Sequence, residues 1–255
     1  LPHTWNAADG QDGGNDYWRG TAMYCKKFAK PTSTGVVVLE FLGAAHTSDV
    51  YLNNILIAHH EGGYSTFRVE ITPYLQEENH LVVRVENDKN NRVYPQKADF
   101  TFYGGIYRDV KLIILHKQHF DMDYFGGTGL AVGAEVTGEN ANVRVRTWHN
   151  AENAAVKIAL KDDAGNVVAQ GEGTDIRLTI ENVHLWDGVE DPYLYTCEAT
   201  LNVDGKAVDQ VTSTFGARYF RVDPKEGFFL NGRSYPLRGV CRHQDWRGIG
   251  NALHK

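Results

Sequence analysis

Apolar and polar positions alternate along this chain in short runs. Clusters of Gly, Asn, Asp or Pro bound each run, the pattern restarts roughly every 8 to 12 residues, and helical periodicity is almost absent. A period of two puts successive side chains on opposite faces of an extended backbone, so each run predicts a half-buried strand. In the first part of the chain strands are expected at 17–28, 35–41, 48–52, 55–59, 65–71, 80–86 and 107–115. Asn53-Asn54 separates two of them and predicts a tight hairpin, because Asn tolerates the positive φ that primed turns demand. Residues 116–128 show no clear period. The alternation then resumes, predicting strands at 141–149, 155–161, 166–170, 175–180, 194–203 and 206–215, with hairpin turns at Asp163-Ala-Gly165 and Asp204-Gly205. A small hairpin over 227–235, turning at Asn231-Gly232, leads to the apolar run Leu237-Arg-Gly-Val-Cys241, which reads as a further strand, and then to a polar tail.

A chain of 255 residues is long for one core. The pattern defines an all-β protein in three stretches. Residues 1–117 form a first sandwich, and 118–222, with six or seven short antiparallel strands, an immunoglobulin-like sandwich. Residues 223–255 are too short to bury a core of their own and read as the start of something larger.

Composition narrows the function classes. Hydrophobic residues make up 42% and charged residues 23%, as in ordinary globular protein, and no apolar run approaches the ~20 residues a membrane-spanning helix needs. The net charge of −6 offers no general attraction to phosphate backbones or anionic lipid, so neither nucleic acid nor membrane is an expected partner. Cys25, Cys197 and Cys241 are too few and too scattered for a disulfide framework or a zinc site, and are expected to be free thiols. The first residue is Leu1, with no basic and apolar leader after it, which leaves the compartment open: periplasmic or secreted if a signal peptide has been removed, otherwise cytoplasmic.

Two clusters carry candidate chemistry. The first is Asp99-Phe-Thr-Phe-Tyr-Gly-Gly-Ile-Tyr-Arg-Asp-Val110. Sugars present apolar ring faces and hydroxyl rims, so aromatic rings that stack and carboxylates that accept hydroxyl hydrogen bonds suit them. The same residues also fit a structural Asx turn ahead of a glycine bend. The second cluster, Arg238-Gly-Val-Cys-Arg-His-Gln-Asp-Trp246, packs two arginines, a histidine, an aspartate and a tryptophan directly after an apolar strand, where catalytic barrels place their sites. His59-His60-Glu61 is a weak metal candidate, since adjacent strand residues face opposite ways. Trp18 and Trp186 are expected in the cores. Phosphate cradles, G-x-S-x-G elbows and C-x-x-C pairs do not occur.

Several stretches together resemble glycoside hydrolase family 2, whose plan is a jelly-roll sugar-binding domain, an immunoglobulin-like domain and a (β/α)8 catalytic barrel. They are Leu1-Pro-His-Thr-Trp5 with Tyr17-Trp-Arg-Gly-Thr21; Val50-Tyr-Leu-Asn53 with His60-Glu-Gly-Gly-Tyr64 and Phe67; Gly104-Gly-Ile-Tyr-Arg-Asp-Val110; Leu185-Trp186 with Pro192-Tyr-Leu-Tyr195; Phe215-Gly-Ala-Arg218; and Phe229-Leu-Asn-Gly232 leading to Leu237-Arg-Gly-Val240. The resemblance implies that 1–117 is the jelly roll and that 223–255 begins a barrel that is here truncated. It implies a retaining exo-β-glycosidase acting on terminal β-linked sugars, with β-galactosidase expected first and β-glucuronidase or β-mannosidase behind. Asp99 then matches an aspartate that reaches the sugar, and His243 a substrate-binding histidine, with Arg242 and Asp245 beside it. Many members read Asn-Arg-His-Glu where this chain has Cys241-Arg-His-Gln244, and Asp245 stands close enough to supply the missing acid. The family's two catalytic glutamates, about 5 Å apart in retaining enzymes, would lie beyond Lys255, so no catalytic residue, metal ligand or cofactor is expected in this chain, and any magnesium belongs to the barrel. The implied partners are the carbohydrate, the chain's own C-terminal barrel and, in a homo-oligomer, further copies. An autonomous carbohydrate-binding module is the competing reading.

Overall fold

The computed structural model describes residues 1–9, 18–94 and 101–253. Contacts divide the chain into two units, one made of Leu1–Lys117 with Arg242–Lys255 and the other of Gln118–Cys241.

The first unit is a jelly-roll sandwich. One antiparallel sheet runs β1 (Thr21–Ala29), β6 (Glu78–Glu86), β3 (Thr47–Leu52), β4 (Ile55–Glu61), and the other β5 (Phe67–Glu70), β2 (Val36–Phe41), β7 (Val110–Leu115). Alternation decides the faces: Val50 and Leu52 of β3 and Leu81, Val83 and Val85 of β6 point inward to meet Val37, Leu39 and Phe41 of β2. Phe41 stacks flat on Phe67 at 4.6 Å. β2 is buried on both faces, and its outer face carries Glu40, which the Arg68 guanidinium pairs at 2.7 Å. The Asn53-Asn54 turn takes φ of 52° and 67°, as its residues predict.

The second unit is an immunoglobulin-like sandwich of sheets β12 (Asp175–Ile180)–β9 (Asn140–Thr147)–β8 (Leu130–Thr137) and β11 (Val167–Glu172)–β10 (Ala154–Lys161)–β13 (Tyr195–Val203)–β14 (Lys206–Phe215). Strand β13 alternates without a break, sending Tyr195, Cys197, Ala199, Leu201 and Val203 inward. β8 escapes a sequence reading that starts at residue 141, because Gly133 and two alanines leave it with little β-propensity. A three-stranded sheet, β15 (Phe220–Asp223)–β16 (Gly227–Leu230)–β17 (Arg233–Ser234), completes the unit, turning at Asn231-Gly232 with φ of 50° and 83°.

Three expectations need correction. Residues 237–241 form no strand: Leu237 and Val240 are exposed, and no ladder partner lies beside them among the described residues. Trp18 is 54% exposed, because it precedes β1 and no pleat directs it inward. Trp186 is only half-buried and stands outside the core, under the Arg218 guanidinium at 5.0 Å. The three cysteines are free, and burial pushes the Cys197 thiol up to about 12.

Candidate functional site

The first unit holds a cavity of about 920 Å³ whose lining brings Tyr64, Tyr103, Tyr107 and Arg108 together with Arg242, His243 and Asp245. Both candidate clusters therefore reach one place. Asp99, the leading carboxylate of the first cluster, lies outside the described residues.

The loop over 101–109 is held by buried amides. Asn6 and Asn87, 3% and 0% exposed, each donate to the Phe102 carbonyl at 3.1 Å, while the Gly104 N–H donates to Asn6 Oδ1 at 2.9 Å and the Gly20 N–H to Asn87 Oδ1 at 2.9 Å. The Gly104-Gly105 pair has a steric cause. A Cβ on Gly104 would lie 2.1 Å from Trp5 Cζ2, and one on Gly105, at φ +132°, 2.4 Å from the His3 carbonyl oxygen. Glycine alone lets the loop press against the first residues of the chain.

Two tyrosines of this loop, Tyr103 and Tyr107, line the cavity. Tyr107 is buried, donates its hydroxyl to the Gly63 carbonyl at 2.6 Å, and meets Tyr64 edge to face at 6.4 Å. Burial raises the pKa of the Tyr107 and Tyr64 phenols, so they serve as neutral donors and apolar ring faces. The Arg108 guanidinium lies over the Tyr107 ring at 5.3 Å.

The tail reaches the same cavity through a short turn. Trp246 and Gly250 exchange backbone hydrogen bonds of 2.9 and 2.8 Å, and the Thr4 hydroxyl donates to the Ile249 carbonyl at 2.8 Å. The Tyr103 hydroxyl donates to Asp245 Oδ2 at 2.9 Å, so one oxygen of that carboxylate is already engaged within the protein. Asn251 also lines the cavity, and its Oδ1 is buried with no hydrogen-bond partner among the described residues.

The His59-His60-Glu61 run divides as its period dictates. His59 Nδ1 lies 2.6 Å from Asp49, which raises the pKa of the imidazole, whereas His60 stacks on Phe67 at 4.2 Å. Among the described residues, no three His, Cys, Asp or Glu side chains converge as metal ligands.

Residues 13–116 match the sugar binding domain of glycosyl hydrolases family 2, and residues 128–218 match a second domain of glycosyl hydrolases family 2. The chain belongs to that family. A β-glucuronidase of Bacteroides fragilis is 39% identical over 99% of the chain, and a β-galactosidase of Bacteroides ovatus is 32% identical over all of it. The crystal structure of an FMN-binding β-glucuronidase from Faecalibacterium prausnitzii L2-6 superimposes on the whole chain with a TM-score of 0.94 at 39% identity. The chain spans 39% of the first relative, 32% of the second and 41% of the crystallised protein.

Sequence reasoning missed Asn6 and Asn87. Their signal was an asparagine flanking a strand or turn, which many solvated loops also carry.

Proposed function

We propose that this chain is the non-catalytic, sugar-facing part of a longer retaining exo-β-glycosidase whose substrate is a terminal β-glucuronide. The observation that carries the reading is the shared cavity, in which the rings of Tyr64, Tyr103 and Tyr107 stand together with the Arg242–His243 pair. Ring faces suit the apolar side of a pyranose and the polar groups its hydroxyls. Arginine suits the carboxylate that separates a uronic acid from a neutral hexose. The 39%-identical β-glucuronidase supports that choice, and the 32%-identical β-galactosidase keeps β-galactoside, the substrate expected first from the sequence, as the second reading. Asp99 keeps its proposed sugar contact on the strength of its motif alone. The two glutamates of a retaining mechanism, one protonating the departing oxygen and the other attacking the anomeric carbon, are assigned in this reading to a barrel outside these 255 residues. Any magnesium is assigned there too, as are the contacts that would build a homo-oligomer.

The test is a panel of aryl β-glucuronide, β-galactoside and β-mannoside, offered to the longer protein and to the 255-residue chain in parallel. Hydrolysis of the glucuronide by the longer protein alone is the expected result. Cleavage of the galactoside instead selects the second reading. A silent panel, or turnover by the short chain, overturns the proposal in favour of an autonomous binding module.

A further inference from the structure

The tail that brings Arg242 and His243 to the cavity belongs to no helix or strand at those residues, yet it is fixed to the jelly roll at several points just beyond them. Gly250 is buried, and a Cβ there would lie 2.7 Å from Tyr103 Cε1 and 2.8 Å from Thr4 Oγ1, so the turn sits directly on those two side chains. Ala252, 2% exposed, packs with Ala45 and Tyr107. Only one of these contacts is a hydrogen bond between side chains: Tyr103, 7% exposed, donates to Asp245 Oδ2 at 2.9 Å. It holds a residue two positions after His243 and three after Arg242. A phenol that is nearly all buried has few rotamers to choose from, which makes it a stiff post, and a hydrogen bond to a carboxylate is roughly twice as strong as one between neutral groups.

We propose that Tyr103 is a positioning residue for the glycosidase reaction. Its hydroxyl fixes Asp245, and through Asp245 the Arg242–His243 pair, in the arrangement that meets the sugar. Asp245 then works inside the protein and does not itself bind substrate. The proposal rests on the glycosidase reading above. A displacement of about 1 Å in a positioning group can lower a rate by as much as ~100-fold. Losing one of several anchors should therefore cost about tenfold.

The experiment compares Tyr103→Phe, Asp245→Ala, Asp245→Asn and the double variant Tyr103→Phe/Asp245→Ala in the longer protein. Hydrogen exchange is followed in peptides covering 242–253, with peptides covering 78–86 as the internal control. Tyr103→Phe removes one oxygen and leaves the ring in place, so it should speed exchange in 242–253 and leave 78–86 unchanged. It should also lower kcat/KM by about tenfold with the unfolding midpoint held. Asp245→Ala should match it, the double variant should be no worse than either single change, and Asp245→Asn, which keeps an acceptor oxygen, should recover part of the loss. Unchanged exchange in 242–253 would overturn the clamp. Faster exchange with undiminished kcat/KM would overturn its part in the reaction, and additive losses in the double variant would show that the two residues act separately. If the parent protein hydrolyses none of the glycosides, the glycosidase reading and the role of Tyr103 in it both fail, while the exchange data still decide whether the clamp exists.

Discussion

The two sandwiches bury different things. In the second unit, Thr147 is the one buried polar residue among those described, and the core is built from Phe120, Val143, Val145, Ile158, Leu160, Leu201 and their neighbours. The first unit buries Thr4, Asn6, Glu40, His46, Ser48, Asn79 and Asn87. Apolar burial is non-directional and tolerates many sequences of suitable volume. Buried amides and ion pairs are directional, costly when unmet, and fix one arrangement of the loops they hold. The second unit is therefore held mainly by apolar packing, whereas the first uses directional polar contacts to hold a cavity wall in a set shape.

The largest effect should come from the apolar side of that comparison. Leu160 is 0% exposed on the central strand pair of the second unit, and truncating a buried leucine removes its transfer energy and leaves a cavity. Leu160→Ala should cost about 2–5 kcal/mol of unfolding free energy. The titratable groups in this core, Tyr195 and Cys197, have pKa values raised by burial and stay neutral from pH 5 to 7, so the loss measured by urea denaturation should be the same at pH 7 and pH 5. A loss that grows with acid would remove the distinction between the units.

The next effect tests the polar side. His46 is 1% exposed, both ring nitrogens lack hydrogen-bond partners among the described residues, and burial, assisted by the charge of Arg19, lowers its pKa to about 4. Unfolding returns the imidazole to about 6.5, so below that pH the unfolded state binds the extra proton and the folded state does not. Stability from this residue is therefore fully present above pH ~6.5 and lost as pH falls toward ~4, by roughly 3 kcal/mol in all. His46→Leu deletes the titration and leaves no donor or acceptor behind. The variant's stability should thus be flatter than the wild type's between pH 6.5 and 4. Parallel curves for the two proteins would show that His46 is not the acid-sensitive group.

What the sequence showed in advance follows the same division. The alternation that drives β13 inward and the Asn53-Asn54 turn are local patterns, set by period and by tolerance of positive φ, and they were legible from neighbouring residues alone. Period misled at 237–241, since a strand also needs a ladder partner that no local pattern supplies. It misled at Trp18, whose type favours burial but whose position before β1 leaves it exposed. The cavity was half legible. Its aromatic and Arg-His clusters could be named, but the bond that joins them runs from Tyr103 to Asp245 across 142 positions, and periodicity carries no information at that distance.

The smallest of these effects addresses the cavity wall itself. Asn87 accepts the Gly20 N–H and donates to the Phe102 carbonyl, and Asn6 donates to that same carbonyl. Asn87→Ala strands the Gly20 N–H while Asn6 continues to satisfy Phe102, so the cost should be about 1–3 kcal/mol, the penalty of one buried group left unmet. Asn6→Ala strands the Gly104 N–H, which donates to Asn6 Oδ1, with a cost of the same order. The shared carbonyl makes the pair informative. Removing both amides leaves it with neither donor, so the double variant should lose more than the sum of the singles, by about 1 kcal/mol or more. Chemical denaturation of the four proteins closes this cycle. Strict additivity would mean that the loop keeps its place without the two amides and that the first unit's polar interior is incidental to the cavity. A positive coupling would place the cost of the buried asparagines where the comparison puts it, in the backbone that carries Tyr103 and Tyr107.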